Sequence, residues 1–181
     1  MITGTSGIIL AGGKSTRMGG RSKAELPFHG MTLLRWQEEK LRKMGIAEIL
    51  ISGYGKDKIP DDIPGKGPLG GLYSTLRRAS AKQCLVLPVD VPLVPQEALE
   101  ELIRMHRGSI TILESEGKIE PLIGVYDAEI AESILPMLQN GSTAVRRLLD
   151  LRGYRTVPFS GPSEFLTNCN TPEAYEIIRS L

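Results

Sequence analysis

A glycine-rich, cationic segment that directly follows a short apolar run constrains this chain more than any other stretch. The apolar run, residues 8–11, predicts a strand that is buried on both faces. The next segment, residues 12–23, reads GGKSTRMGGRSK and interleaves glycines with lysines and arginines. Glycines let a backbone approach a ligand closely, and interleaved cations attract anions, with phosphate as the obvious candidate. The sequence therefore predicts a phosphate-binding loop at the end of a strand.

The spacing within this loop excludes two common nucleotide-binding motifs. A P-loop needs a glycine five residues before its Gly-Lys pair, and Ile8 stands at that position. The dinucleotide-binding pattern G-x-G-x-x-G needs a glycine two residues after Gly12, where Lys14 stands instead. A glycine-rich turn with only a structural role stays open as the alternative.

The composition bounds the class of protein. The 181 residues suit a single domain, 1–181, that is large enough to bury a core without disulfides or structural metals. A net charge of +1 argues against a general nucleic-acid-binding protein. Because no long apolar stretch or secretory leader is visible, we expect a soluble cytoplasmic protein with no membrane partner. Cys84 and Cys169 are expected to be buried reduced thiols, with a disulfide or metal site as the alternative.

Three units of strand, loop and helix follow one another in the first half of the chain. Strands are predicted at 8–11, 48–52 and 84–87, and helices at 32–44, 67–79 and 96–106. Thr32 is expected to cap the first of these helices, Asp127 a later helix that reaches Leu138, and Thr171 a helix that begins at Pro172. This alternation predicts an α/β fold with three layers, in which helices cover both faces of a Rossmann-like, mostly parallel sheet. Ligands of such sheets bind beyond the carboxyl ends of the strands. We therefore expect the glycine loop, Ser52 and Asp90 to meet at one edge.

Asp90 leaves the third predicted strand between Pro88 and Pro92. A carboxylate fixed at that position is costly if it stays unpaired. Magnesium provides a partner, because Mg²⁺ typically takes one or two carboxylates together with phosphate oxygens. A helix-capping aspartate is the alternative. The position predicts that Asp90 is both a catalytic residue and the metal ligand.

Basic residues of the first loop would then hold a triphosphate from the other side. Arg17 is our candidate for the β- and γ-phosphates, because a planar guanidinium can bind in a bidentate manner. Lys23 is our candidate for the α-phosphate, where a point charge suffices. Lys14 and Arg21 are equally well explained as solvated surface charges. Such an arrangement suits nucleotidyl transfer, in which metal and cations stabilise the charge on departing pyrophosphate.

Four segments resemble, in order, the motifs of the molybdenum cofactor guanylyltransferases, the MobA family of Rossmann-like nucleotidyltransferases. The segments are LAGGKSTRMGGRSK, GPLGG, LPVDVP and NCNTPE. The resemblance implies transfer of GMP from GTP to molybdopterin-bound molybdenum, which yields the guanine dinucleotide cofactor and pyrophosphate. It also implies Mg²⁺ as cofactor and, as protein partners, molybdopterin-delivering proteins or molybdoenzymes.

The same resemblance implies which residues contact the nucleotide. Ser52 falls where the family often has asparagine, and Asp61 fits a family aspartate by spacing, with Asp62 as the alternative. The positions expected to contact nucleotide are Leu10, Ala11, Gly12, Gly13, Lys23, Ser52, Asp61, Asp62, Gly67 and Asp90.

The later motifs bear on the metal and on the acceptor. Residues 168–170 are Asn-Cys-Asn where related enzymes often have a second metal-binding acid, so a single Mg²⁺ is expected. Residues 120–122, Glu-Pro-Leu, resemble the segment on the pterin side of the family. Arg146 and Arg147 are candidates for the pterin phosphate. Ordinary surface roles are equally open for both of these acceptor-side features.

Two other functions fit the same motifs. One is a cytidylyl- or other nucleotidyltransferase that uses a different small phosphorylated acceptor. The other is a non-catalytic, nucleotide-binding adaptor that delivers the cofactor. Retention of both Lys23 and Asp90 favours an enzyme over an adaptor.

Overall fold

A mixed sheet lies at the centre of the structure, a computed structural model that describes residues 2–12 and 22–181. The described strands are β1 (Thr5–Leu10), β2 (Pro27–Phe28), β3 (Met31–Thr32), β4 (Ile49–Ser52), β5 (Gln83–Pro88), β6 (Ile110–Ser115), β7 (Lys118–Asp127) and β8 (Arg155–Pro158). The described α-helices are α1 (Leu33–Lys43), α2 (Gly67–Leu76), α3 (Gln96–Met105), α4 (Ala131–Gln139), α5 (Val145–Arg152) and α6 (Pro172–Ser180).

Six of these strands form the main sheet, in the order β4-β1-β5-β7-β6-β8, and β2 pairs with β3 separately. Strands β4, β1 and β5 are parallel, as are β6 and β8, whereas β7 is antiparallel to both of its neighbours. The exception has a local cause, because Glu116 and Gly117 form a tight turn with positive φ that returns the chain beside β6. The predicted mostly parallel sheet is confirmed.

Helices cover both faces of this sheet, so the predicted three layers are also confirmed. Side chains of β1 alternate between two cores: Ile9 packs in one, and Ile8 and Leu10 in the other. The first core contains residues of α1, α3 and α6, and the second contains residues of α2, α4 and α5. Strands buried on both faces read as continuous apolar runs, which explains why the run at residues 8–11 predicted β1 correctly.

Threonine caps begin two helices as their sequences indicate. The Thr32 hydroxyl accepts a hydrogen bond from the Arg35 amide at the start of α1, and Thr171 accepts one from Ala174 at the start of α6, both at 3.2 Å. Asp127 was expected to cap α4, and this prediction is wrong. The Asp127 carboxylate lies 3.2 Å from Nε2 of the buried His106 and makes no capping hydrogen bond.

The predicted buried thiols are confirmed. Cys84 and Cys169 are both buried and unbonded to each other. Burial raises the pKa of each thiol to about 12, which keeps both protonated near neutral pH. Within residues 2–12 and 22–181, every helix is too short or too polar to cross a bilayer.

Candidate active site

The carboxyl ends of three parallel strands bring the first candidate residues together. Leu10, the last residue of β1, lies in register between Ser52 of β4 and Pro88 of β5. Beyond these pairs, the Ala11 amide donates to the Ser52 carbonyl at 3.2 Å, and the Val89 amide donates to the Leu10 carbonyl at 3.0 Å. The expectation that the start of the glycine loop, Ser52 and the Asp90 segment share one edge is confirmed.

Glycines allow the Ser52 side chain to fit between the first loop and α2. A Cβ atom on Gly71 would lie only 2.9 Å from the Ser52 hydroxyl oxygen, and one on Gly12 would lie 3.8 Å from it. A Cβ on Gly70 would lie 3.2 Å from Oδ2 of Asp61. The second and third glycines of the GPLGG motif are therefore explained by the close approach of Ser52 and Asp61.

Asp61 and Asp62 occupy different surroundings, although they are adjacent in sequence. The Asp62 carboxylate pairs with Arg77 at 3.1 Å and with Arg78 at 2.8 Å, and the hydrogen bond from Arg78 holds its pKa below the usual value. Within the part of the chain that the structure describes, no basic side chain pairs with Asp61. Burial, and then the charge of Asp62, raises the pKa of Asp61.

Lys23 and Asp90 are in direct contact, although they are far apart in sequence. The Lys23 ammonium lies 2.6 Å from Oδ2 of Asp90 and also donates to the side-chain carbonyl of Asn170. The backbone carbonyl of Asp90 accepts from the Cys169 amide at 2.8 Å, which fixes the Asn-Cys-Asn segment beside it. Asn170 is a candidate site residue that the sequence-based list of site residues omits, and the NCNTPE motif is the signal that indicates it.

A cleft of about 440 Å³ opens beside Asp90. Pro88, Asp90, Asn168 and Asn170 line one part of it, and residues 120–123 of β7 with residues 143–146 at the start of α5 line another. The cleft brings Glu120 and Arg146 to the same cavity as Asp90, whereas Arg147 is not among its lining residues. Burial raises the pKa of Glu120. Both acceptor-side features of the sequence are therefore connected to the Asp90 region, with Arg146 as the arginine that reaches it.

The side-chain oxygens around Lys23 are of the kind that bind a hard divalent cation. Two of them, one from Asp90 and one from Asn170, accept hydrogen bonds from the same ammonium group. Among the described residues, no three His, Cys, Asp or Glu side chains are grouped so that they could hold a metal by themselves. One carboxylate and one amide oxygen match the ligands of a hard divalent cation, whose remaining positions water and phosphate oxygens would fill.

The structure describes only some of the remaining residues that the sequence assigns to the site. Gly13 and Arg17 lie outside the described residues, so their assigned roles stay predictions. Gly67 begins α2 in a left-handed conformation, with φ of +57°, and a Cβ there would lie 3.9 Å from the Thr143 carbonyl oxygen. Because Pro68 and Thr143 both line the cleft, the start of α2 lies beside the cleft.

Comparison with known proteins identifies the family. Residues 7–157 match the model of the MobA-like NTP transferase domain. The molybdenum cofactor guanylyltransferase of Xanthomonas euvesicatoria is 36% identical in an alignment 178 residues long, and the match covers 94% of this chain and 92% of that protein.

Solved structures share the fold at lower identity. A nucleotidyl transferase from Methanothermobacter superposes with a TM-score of 0.79 at 21% identity, over 98% of this chain and 97% of that one. A Mycobacterium tuberculosis protein in complex with manganese has a TM-score of 0.74 at 16% identity, over 98% and 99% of the two chains. The chain belongs to the MobA-like NTP transferase family, the family of the molybdenum cofactor guanylyltransferases.

Proposed function

We propose that this chain transfers GMP from GTP to the molybdenum–molybdopterin cofactor and releases pyrophosphate. The observation that carries the proposal is the contact of Lys23 with Asp90 and Asn170, two residues that line the cleft. Family membership and 36% identity to a molybdenum cofactor guanylyltransferase support the choice of GTP and molybdopterin as substrates.

The nucleotide is held, in this proposal, at the edge formed by β4, β1 and β5. Leu10, Ala11 and Gly12 present backbone to it, and Ser52 contacts it between the first loop and α2. Gly13 and Gly67 keep the nucleotide contacts that the resemblance implies, and Arg17 keeps the role at the β- and γ-phosphates that its guanidinium suggests. We assign Asp61 rather than Asp62 to the nucleotide, because the Asp62 carboxylate is already engaged by two arginines.

The reaction forms one bond to the α-phosphorus of GTP and breaks another. A phosphate oxygen of the acceptor attacks the α-phosphorus, and the electron pair of the broken P–O bond departs with pyrophosphate. Lys23 donates hydrogen bonds to the α-phosphate oxygens, and Arg17 neutralises charge on the β- and γ-phosphates. Asp90 and Asn170 would hold Mg²⁺, which would supply Lewis-acid stabilisation of the phosphate charge.

The acceptor occupies the cleft in this proposal. Arg146 is suited to bind the acceptor phosphate, since a guanidinium offers a bidentate pair of donors. Glu120 and the neighbouring Pro121 and Leu122 form a partly apolar wall against which a pterin can lie.

We further propose a single cytoplasmic domain over residues 1–181 that exchanges molybdopterin with delivering proteins or molybdoenzymes.

Pyrophosphate release tests this function directly. The chain is incubated with molybdenum-loaded molybdopterin, Mg²⁺ and each of GTP, CTP, ATP and UTP, and we expect release with GTP above the others. A preference for CTP would replace the guanylyltransferase assignment with the cytidylyltransferase alternative. Tight GTP binding without release in the presence of acceptor would support the delivery adaptor instead.

A further inference from the structure

Three side chains of helix α1 hydrogen-bond to the backbone of the segment that carries Asp90. The fully buried Gln37 donates from Nε2 to the carbonyls of Pro88 and Val91, at 3.1 and 3.0 Å. These two carbonyls lie on either side of Asp90 in the chain. One glutamine amide therefore holds the backbone both before and after the carboxylate.

Lys40, one turn further along α1, extends this contact to the end of the segment. The Lys40 ammonium donates to the carbonyls of Pro92 and Val94, both at 2.7 Å. The Trp36 indole N–H also donates to the Pro92 carbonyl, at 3.0 Å. Positions three and four apart share one face of a helix, so a single face of α1 supplies these donors.

The Asp90 segment needs such donors because of its sequence. Residues 89–94 read VDVPLV and connect the end of β5, at Pro88, to α3, and no strand among the described residues pairs with this connection. Buried backbone carbonyls without partners are costly, so side-chain donors take the place of a ladder. The carbonyl of Asp90 itself accepts a hydrogen bond from the Cys169 amide, in the segment that precedes α6. Two separate parts of the chain, α1 and the Cys169 segment, thus hold this backbone, and the Asp90 side chain projects from it.

The burial of a lysine at position 40 would be energetically unfavourable if the side chain only filled space. Burial lowers the pKa of Lys40 to about 7, and among the described residues no carboxylate lies within ion-pair distance of its ammonium. An apolar side chain at this position would avoid the cost of desolvating a charge. The two carbonyls are the contacts that the ammonium gains in exchange.

We propose that Gln37 and Lys40 are positioning residues, which hold the Asp90 backbone so that its carboxylate meets the metal-bound nucleotide. The inference rests on the proposed function, because it takes Asp90 as the group that acts on the bound nucleotide. It extends the site to a helix face that does not line the cleft. Replacing a residue that orients a metal ligand without binding the metal itself typically changes metal affinity or activity by about 10- to 100-fold.

Calorimetric titration of GTP into the whole chain, once with EDTA and once with Mn²⁺, tests the proposal. The gain in GTP affinity on adding Mn²⁺ measures the contribution that passes through Asp90. We expect Lys40→Met to leave the affinity in EDTA unchanged and to reduce the Mn²⁺-dependent gain by about ten-fold or more. Gln37→Met is a second variant with the same expected pattern. Lys43→Met, an exposed lysine on the same helix, is the matched control and should keep the full gain.

A background without the Asp90 charge separates positioning from general structural damage. In Asp90→Asn the Mn²⁺-dependent gain should already be lost, and adding Lys40→Met should change nothing further. Equal losses in EDTA and in Mn²⁺, an additional loss in the Asp90→Asn background, a full gain retained by both variants, or no gain in the unmodified chain would each overturn the inference. The proposed function fails separately, if the unmodified chain shows the gain but releases no pyrophosphate with acceptor present.

Discussion

The proposed nucleotide side and the proposed acceptor side of the candidate active site are built from different parts of the chain. On the nucleotide side, position is set by backbone: β4, β1 and β5 end in register, and glycines at 12, 70 and 71 let Ser52 and Asp61 come close. On the acceptor side, the cleft is lined by side chains from β7, α5 and the segment before α6. A site made by close backbone approach has no room for added atoms, whereas a site made by side chains depends on individual charges.

The largest expected effect is at Asp90, where the two sides meet. Asp90→Asn keeps the shape of the side chain and the backbone hydrogen bond to Cys169 but removes the charge. We expect pyrophosphate release to fall by about a hundred-fold or more, because charge stabilisation at the phosphates is lost. The measurement is a steady-state pyrophosphate assay with circular dichroism to verify the fold.

Glu97→Gln serves as the control for removal of one carboxylate, since Glu97 is exposed on α3. It should keep normal activity. If Asp90→Asn retained most of the activity, the two sides would not share a catalytic residue, and the comparison above would be wrong.

On the acceptor side, Arg146 and Arg147 form a matched pair of neighbours. Arg146 lines the cleft, whereas Arg147 is not among its lining residues. Loss of a charged hydrogen bond of about 1.5–3 kcal/mol corresponds to roughly ten- to hundred-fold weaker acceptor binding. We expect Arg146→Ala to raise the KM for molybdopterin to this extent and leave the KM for GTP unchanged. Arg147→Ala should change neither KM, and equal effects of the two variants would contradict the assignment of the acceptor to the cleft.

On the nucleotide side, Gly71→Ala tests the role of close packing. The new Cβ would lie 2.9 Å from the Ser52 hydroxyl oxygen, so α2 or Ser52 must shift. Overpacking of this kind costs about 1–3 kcal/mol, and we expect urea unfolding to show that loss together with weaker GTP binding. Adding Ser52→Gly removes the atoms that clash and should restore part of the stability. No recovery in the double variant would show that Ser52 is not the obstacle.

The smallest expected effects separate Asp61 from Asp62. Asp62→Asn removes exposed pairs with Arg77 and Arg78, so the free energy of unfolding should fall by about 1 kcal/mol or less. Asp61→Asn should instead weaken GTP binding without loss of stability, because burial already disfavours its charged form. Denaturation and nucleotide titration of both variants measure the two effects. The reverse pattern would assign the nucleotide to Asp62.

The sign of the pH dependence gives a second test of the same pair. The arginines lower the pKa of Asp62 in the folded chain. The stability that Asp62 contributes is therefore present above its unfolded pKa and is lost as the pH falls through its folded pKa. Burial raises the pKa of Asp61, so its unfavourable contribution disappears as the pH falls and the carboxyl becomes protonated. Comparing the acid unfolding of each Asn variant with that of the unmodified chain measures both trends.

Local patterns in the sequence predicted most of the architecture. Apolar runs predicted β1, β4 and β5, and threonines marked the starts of α1 and α6, because strand burial and helix capping involve residues close together in the chain. Asp127 was the exception. It has the features of a cap, but its carboxylate lies beside His106, 21 residues away, which no local pattern indicates.

The sequence by itself determined the nucleotide motif, the alternation that gives a parallel sheet, and therefore the edge at which Asp90 lies. Only the tertiary structure decided which of two adjacent aspartates is engaged by arginines, which of two adjacent arginines lines the cleft, and that Asn170 joins Asp90 at Lys23. A sequence pattern cannot distinguish two adjacent residues of the same type. Their difference arises when the chain folds and distant side chains, such as Arg78 for Asp62, come within hydrogen-bond distance of one neighbour but not the other.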